Sequence, residues 1–165
     1  MPHSHDPAEV FHDHNHSACS GGVLERVDEI ASTSGLRLTP VRRRVLEILL
    51  EEHRAMGAYE VLETLAREGF GNQPPVAYRA LEFLVEHGLA HRIRRLNAFA
   101  ACMRPGEHHA PAFFICSECD TVAESASPQV RSSIEAAAQE IGFAVDRLNV
   151  EVIGTCPSCK QGGQV

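Results

Sequence analysis

Two pairs of closely spaced cysteines constrain this sequence most strongly. Cys116 and Cys119 form one CxxC motif, and Cys156 and Cys159 form a second. A gap of two residues lets both thiolates of a motif turn toward one ion, and four thiolates make a closed tetrahedral zinc site. The 36 residues between the motifs exceed the roughly 15 to 20 of a plain zinc ribbon, so an intervening helix and strand must bring them together. The motifs predict a structural zinc site, with a redox dithiol or a disulfide as alternatives.

Composition indicates a folded protein of the cytosol. Hydrophobic residues make up 44% of the 165 residues, enough for a core, and the length fits one or two small domains. We expect a cytoplasmic location and no membrane partner, because there is no run of 18 apolar residues and no basic start followed by an apolar stretch. In a reducing compartment, paired cysteines are more often metal ligands than disulfides.

The net charge of −7 is unevenly distributed. Residues 1–20 carry −3, residues 21–104 carry +1, and the rest of the chain carries −5. The total excludes a uniformly basic nucleic-acid coat, but the near-neutral middle segment remains open to specific DNA binding.

Residues 1–22 are expected to form a disordered, His-rich arm. It contains five spaced histidines and almost no apolar periodicity: His3, His5, His12, His14 and His16. Such a segment can bind a divalent metal weakly, and a solvated tail without that role is the alternative.

Residues 23–102 are expected to form a winged-helix DNA-binding domain. Apolar periodicity and stop signals predict four helices, over Val23–Ser34, from Pro40 onward, over Ala58–Glu68 and over Val76–His87. A hairpin of Leu89–Arg94 and Ala98–Cys102 follows. In a winged helix, one helix enters the major groove and the hairpin lies along the backbone.

Residues 103–160 are expected to form a small α/β dimerisation domain, and 161–165 a tail. The pattern predicts strands at Ala112–Cys116 and Thr121–Glu124, a helix at Pro128–Ile141 and a strand at Phe143–Ile153. The apolar residues of that helix are expected to face inward: Val130, Ile134, Ala137 and Ile141. The fold class is therefore α+β. So few residues give a thin core, which favours a metal staple, a partner subunit or both.

A second metal site is suggested by four scattered residues. His91, Cys102, His109 and Glu124 offer nitrogen, sulfur, nitrogen and oxygen, a donor set that zinc accepts. Spacing alone is weak support, because a lone histidine or glutamate is usually solvated or satisfies a local polar group.

Arginines are concentrated on the elements that a winged helix presents to DNA. Three stand at the start of the second helix, one follows Tyr78 in the fourth, and three lie on the wing: Arg42, Arg43, Arg44, Arg79, Arg92, Arg94 and Arg95. Arginine can address guanine bidentately, and tyrosine can contact a thymine methyl or phosphate. The alternative is a set of solvated helix faces paired with Glu47, Glu51 and Glu82.

Five segments taken in order resemble one protein family. They read LRLTPVRRRVLEIL, GAYEVLETL, QPPVAYRALEFLVEHGLAHRI, HHAPAFFICSECDTVAE and CPSC. The chain resembles ferric uptake regulator repressors, specifically the zinc uptake regulator branch, over about residues 23–160. The resemblance implies a winged helix followed by a dimerisation domain, and a homodimer that binds a palindromic operator in double-stranded DNA.

The resemblance also assigns residues. It implies DNA contacts by Tyr59, Tyr78 and Arg79, with Arg42 near the backbone. It implies structural zinc at the CxxC motifs and sensing zinc at His91, Cys102, His109 and Glu124, or about two zinc ions per subunit.

The function that this implies is zinc-responsive repression of zinc-uptake genes, without enzymatic activity. The iron and peroxide branches share a His run followed by Asp-His before the first motif, which His108-His109-Ala110-Pro111 lacks. A thiolate at Cys102 also favours zinc over ferrous iron. An iron or manganese sensor of the same fold, and a zinc storage protein using the arm, remain the alternatives.

Overall fold

The computed structural model describes residues 8–11, 16–51, 54–107 and 109–162. Half of the expected arm, residues 1–7 and 12–15, and the histidine at position 108 lie outside these residues. Two groups of elements follow one another along the chain, first helices with a hairpin and then a three-stranded sheet with helices. Within the described residues, no helix is both long and apolar enough to span a bilayer.

Six α-helices and one short 3-10 helix occur in the described residues. The 3-10 helix is Glu9–Phe11, and the α-helices are α1 His16–Ser34, α2 Pro40–Leu50, α3 Ala58–Arg67, α4 Pro74–Glu86, α5 Pro128–Glu140 and α6 Pro157–Gly162.

Five strands form two sheets in the same residues. They are β1 Ala90–Ile93, β2 Ala98–Ala101, β3 Pro111–Cys116, β4 Val122–Ala126 and β5 Val150–Gly154. β1 and β2 form an antiparallel hairpin, the wing. The second sheet has the order β4-β3-β5, with β3 antiparallel to β4 and parallel to β5.

The ends of α2 and α4 follow the signals in the sequence. The Thr39 hydroxyl accepts a hydrogen bond from the backbone N–H of Arg42 at 3.4 Å, and Pro40 occupies the first turn of α2, where a missing N–H is harmless. α4 ends before Gly88, whose φ of 68° lies in the left-handed region that glycine adopts readily. Local chemistry therefore sets the boundaries of the helices that carry the candidate DNA contacts.

Three expectations about elements are wrong. α1 begins at His16, not at Val23, so residues 16–22 do not belong to a disordered arm. The last strand begins at Val150, not at Phe143, and α6 was not expected. The glycine pair Gly21-Gly22 weakens a helix by about 1 kcal/mol per residue, but Val23 and Val27 dock in the core and hold the helix at that point. Packing outweighs the local preference there.

The inward face assigned to α5 is also wrong. Val130 and Ile141, expected to face the core, are 37% and 80% exposed, and Ala138 is the buried residue of this helix. A helix that turns apolar side chains outward has its packing partner outside the single chain.

Two apolar clusters hold the chain together. The larger is built from α1 to α4 and the wing, around fully buried residues such as Leu46, Leu65 and Leu84. The smaller joins Ile93 and Ala98 of the wing to the second sheet and contains these residues: Ala55, Ile93, Ala98, Phe113, Ile115 and Val122. The wing is thus packed on both domains.

Candidate metal sites and DNA-facing surface

The two CxxC motifs meet at one end of the second sheet. Cys116 ends β3, and Cys156 lies between β5 and α6, so the parallel pairing of β3 and β5 brings the motifs together. The four sulfurs lie within 4.8 Å of one another. All four cysteines are free, and the Sγ atoms of Cys119 and Cys156 are 3.9 Å apart, too far for a disulfide. The arrangement fits the zinc alternative and not the disulfide.

Backbone N–H groups point at these sulfurs. The N–H of Cys156 donates to the Cys116 sulfur at 3.3 Å and lowers the pKa of Cys116 to about 6, while the N–H of Cys159 donates to Cys156 at 3.4 Å. The thiols of Cys156 and Cys119 in turn raise the pKa of Cys159 to about 12. Cys116 forms a thiolate readily whereas Cys159 keeps its proton, so a divalent cation is needed to hold all four as thiolates.

The second candidate site lies where the two domains meet. His91 comes from β1, Cys102 directly follows β2, His109 lies in the segment joining the domains, and Glu124 comes from β4. Their ligand atoms lie within 4.8 Å of one another. The structure therefore brings together all four residues that the resemblance implied.

Glu124 is at the centre of this cluster. Its Oε1 lies 2.6 Å from His109 Nε2, 3.4 Å from His91 Nε2 and 3.8 Å from the Cys102 sulfur. The Cys102 sulfur is also 3.8 Å from His109 Nε2. The Glu124 side chain is only 4% exposed, so the carboxylate exchanges its water for these partners.

Burial and close partners shift the protonation of the cluster. Burial of Glu124 opposes its charge, but hydrogen bonding to His109 and the proximity of His91 prevail and lower its pKa to about 2. Burial, followed by the charge of Glu124, raises the pKa of the Cys102 thiol. The hydrogen bond to Glu124 raises the pKa of His109. The cluster therefore holds a carboxylate, a protonated thiol and a histidine biased toward its cation.

The buried ring nitrogen of His91 indicates which kind of ligand fits the cluster. Its Nε2 atom is buried and has no hydrogen-bond partner among the described residues. A buried nitrogen without a hydrogen bond is unfavourable in a folded protein. The Nε2 atom of His91 faces a sulfur, a nitrogen and a carboxylate oxygen. This donor set suits zinc, which accepts all three atom types in a four-coordinate site.

Main-chain groups fix the orientation of two ligands. The Glu107 carbonyl lies 2.9 Å from His109 Nδ1, and the N–H of Met103 donates to Glu124 Oε2 at 3.0 Å. Each contact directs the opposite atom, Nε2 or Oε1, toward the cluster. Sequence reasoning missed both contacts, because a backbone donor or acceptor leaves no trace in residue identity.

Three of the four candidate DNA contacts are exposed on helices of the first domain. Tyr59 at the start of α3 is 69% exposed, and Tyr78 on α4 is 40% exposed. Their rings meet edge to face with centroids 6.4 Å apart, and Arg79 beside Tyr78 is exposed. The two tyrosines therefore form one surface with the start of α4.

The arginines at the start of α2 are engaged within the chain. The Arg42 guanidinium lies 3.5 Å from the ring centroid of Phe83 and donates to the Arg37 carbonyl at 2.8 Å. Arg43 and Arg44 pair with carboxylates of α2 and of neighbouring elements: Asp28 and Glu47 for Arg43, and Glu47, Glu51 and Glu68 for Arg44. The alternative of solvated helix faces paired with glutamates therefore describes Arg43 and Arg44, although Glu82 is not among their partners.

A set of five apolar side chains of the second domain is exposed. The set lies on β3, on β5 and at the end of α5: Phe114, Val152, Ile153, Ile141 and Phe143. β5 is an edge strand of its sheet. Apolar residues beside an unpaired edge are typical of a surface that a second chain covers.

The chain is similar to known metal-dependent regulators over most of its length. The model of the ferric uptake regulator family matches residues 33–153. The zinc uptake regulation protein of Escherichia coli (strain K12) is 32% identical over 138 residues, which cover 83% of this chain and 81% of that protein. A solved zinc uptake regulator in complex with zinc and DNA is 30% identical with a TM-score of 0.83, and the match covers 88% of this chain and 98% of that one.

The holo and apo crystal structures of one relative differ in their likeness to this chain. Holo XcZur is 36% identical, with a TM-score of 0.77 over 86% of this chain and 99% of that one. Apo XcZur has the same 36% identity but a TM-score of 0.51 over 87% and 99%. Since the sequence identity is the same, the difference in TM-score reflects how the relative's chain is arranged in each of its two structures. These likenesses confirm the expected α+β fold, a winged helix followed by a small α/β dimerisation domain.

Proposed function

Since this chain belongs to the ferric uptake regulator family, we propose that it is a zinc-responsive transcriptional repressor of zinc-uptake genes. It acts in the cytoplasm as a homodimer on a palindromic operator in double-stranded DNA. The observation that carries the proposal is the four-ligand cluster of His91, Cys102, His109 and Glu124, whose ligand atoms lie within 4.8 Å of one another at the junction of two domains. The relatives it matches bear the names of regulators rather than enzymes, which supports a regulatory role.

The structural site consists of Cys116, Cys119, Cys156 and Cys159, and the sensing site of the four-ligand cluster, so about two zinc ions bind each subunit. The two sites differ in what they join. The cysteine site holds elements of one domain, whereas the sensing site draws His91 and Cys102 from the wing and Glu124 from the sheet. A closed set of four protein ligands leaves no position for a substrate.

The sensing site links metal to DNA geometry through these contacts. His91 and Cys102 on one side and Glu124 on the other would hold a zinc ion there, which would supply a cross-link between the winged helix and the dimerisation sheet. In a homodimer, fixing each wing fixes the separation of the two α4 helices, which must match major-groove half-sites about 34 Å apart or a multiple of that distance. Tyr59, Tyr78 and Arg79 then contact the operator, and Arg42 supports the surface from its place over Phe83.

The arrangement of the chain supports this mechanism. At equal sequence identity, it is more similar to holo XcZur than to apo XcZur. A ligand that favours one of two arrangements raises DNA affinity only through its differential affinity for them. Coupling of this kind is typically about 1–3 kcal/mol, or about 5- to 150-fold in affinity.

The test is DNA binding with the sensing site emptied and refilled. Zinc-loaded protein selects its operator from a random duplex library, and fluorescence anisotropy then measures affinity before and after a chelator removes the sensing zinc. We expect zinc to tighten binding at least about fivefold. Equal affinity in both states contradicts the proposal, as does activation by Fe²⁺ or Mn²⁺ at lower free concentration than Zn²⁺ under anaerobic conditions. Deleting residues 1–15 leaves the switch intact in a repressor but lowers zinc capacity in a storage protein.

A further inference from the structure

A second polar contact joins the wing to the dimerisation sheet, and it involves no metal ligand. Glu151 on β5 extends its carboxylate to the turn that connects β1 and β2. Its Oε1 accepts from the backbone N–H of Arg94 at 2.7 Å, and its Oε2 accepts from the backbone N–H of Arg95 at 2.9 Å. Both oxygens of one carboxylate are thus bound by consecutive backbone donors, and hydrogen bonds to a charged acceptor are stronger than neutral ones.

The turn is otherwise closed within the wing. The N–H of Asn97 donates to the Arg94 carbonyl at 3.1 Å, and Arg92 donates to the Asn97 side chain at 3.2 Å. The N–H groups of Arg94 and Arg95 point out of the hairpin, toward the other domain. Glu151 therefore occupies donors that the wing leaves available.

Glu151 is held in place on its own side. The side-chain amide of Asn149 lies 3.5 Å from Glu151 Oε1, and Glu151 is half-buried against the wing. Its register partner on β3 is Phe113, which lies in the apolar cluster shared by the wing and the sheet. A carboxylate held in this way loses little further freedom when it binds the turn.

The two attachments hold different parts of the wing. The sensing cluster uses His91 and Cys102, near the base of the hairpin, whereas Glu151 holds the turn at its tip. Without Glu151, the contact near the tip is the apolar packing of Ile93 and Ala98 against the sheet, which is non-directional. Two attachments along the length of the wing fix its direction, and with it the direction of α4, which packs against β1.

We propose that Glu151 is a positioning residue that latches the tip of the wing to the dimerisation sheet in the zinc-loaded arrangement. The latch carries part of the effect of zinc on DNA affinity. The effect of the latch on DNA affinity rests on the proposed function, whereas the latch itself can be tested without DNA.

The first test is amide exchange in the zinc-loaded full chain, followed by NMR. In Glu151→Gln, one donor of the turn faces an amide nitrogen instead of an oxygen. We expect the Arg94 and Arg95 amides to exchange about tenfold faster than in the wild type, while α4 amides keep their rates. The matched control is Glu135→Gln, which removes an exposed carboxylate paired with Arg131 on α5 and should change neither amide. Unchanged exchange at both amides in Glu151→Gln overturns the latch.

The second test separates positioning from a general structural role. Glu151→Gln should keep the zinc content and the dimer, lower operator affinity about tenfold with zinc, and leave the zinc-free affinity unchanged. A purely structural residue lowers both affinities, and that result, or an unchanged ratio, overturns the positioning role. If the wild type shows no zinc dependence, the proposed function fails and amide exchange still decides the latch. If Glu151→Gln does not fold, Glu151→Asp, which keeps the charge on a shorter side chain, undergoes the same measurements and should show a smaller loss in both.

Discussion

Glu124 and Glu151 occupy the same level of the second sheet, on either side of Phe113. Both are register partners of Phe113, Glu124 from antiparallel β4 and Glu151 from parallel β5. Directly paired residues of neighbouring strands point to the same face, so both carboxylates face the wing. One binds the cluster of candidate zinc ligands at the base of the wing, and the other binds its turn. A single row of the sheet therefore carries both polar attachments described above.

Replacing Cys102 with serine should empty one metal site and leave the other filled. Serine is a poorer zinc ligand than the thiolate that it replaces. We expect Cys102→Ser to lose one zinc per subunit in native mass spectrometry, with the CxxC site still occupied, and to bind the operator as weakly as the zinc-free wild type. Cys119→Ser, as the comparison, should lose the other zinc and unfold at lower temperature. Loss of both ions from Cys102→Ser would contradict two separate sites.

Zinc binding at the sensing site should weaken as the pH falls. Burial raises the pKa of Cys102, so its thiol carries a proton that must leave for zinc to bind, and the hydrogen bond to Glu124 raises the pKa of His109, which then holds its proton to a higher pH than an ordinary histidine. Glu124, with its pKa near 2, is already ionised. Affinity should therefore fall about tenfold per pH unit for each proton released. Calorimetric titrations in buffers of different ionisation enthalpy count the protons, and zinc binding without proton release would refute this account.

Removing the exposed groups of α4 should weaken operator binding without affecting zinc. Tyr78→Ala and Arg79→Ala remove side chains that project from the first domain, and each should lower operator affinity by about 1–3 kcal/mol. Arg147→Ala, an exposed arginine of the second domain, provides the control for loss of positive charge. Anisotropy measures the affinities, and zinc content is measured in parallel. Equal losses of operator affinity in Arg147→Ala and Arg79→Ala would indicate that Arg79 acts by non-specific attraction to DNA instead of by direct contact.

A charge on the exposed apolar face of the second domain should separate the dimer. Ile141 is 80% exposed in the single chain, so Ile141→Glu should hardly change the fold of a subunit but should place an unpaired charge in the interface. We expect sedimentation velocity to show monomers with an unchanged zinc content. Gln139→Glu adds the same charge at an exposed polar position of α5 and should remain dimeric. A dimeric Ile141→Glu would place the interface elsewhere.

Local patterns in the sequence were sufficient for most of the elements. Thr39-Pro40 marked the start of α2, Gly88 marked the end of α4, and the two CxxC motifs carried their own chemistry, because each of these signals acts over a few residues. The second ligand cluster was different, because spacing alone gave it weak support. The resemblance to a family gave the set that joins His91 with Glu124 its main support.

Long-range packing decided what the sequence could not. α1 begins at His16 although Gly21 and Gly22 oppose a helix there, and its Val23 and Val27 dock in the core. The side chain of Ile141, at the end of α5, points outward, and this orientation depends on a surface outside the single chain.

The sequence by itself determined the ligand types, the start of α2 and the end of α4, since these depend on neighbouring residues. Tertiary structure alone decided that Glu124 and Glu151 flank Phe113 and reach the wing together. That relationship depends on the pairing of β3 with two strands distant in sequence, and on backbone donors at Arg94 and Arg95. Strand register and main-chain hydrogen bonds are set by the packed fold, and residue identity does not encode them locally.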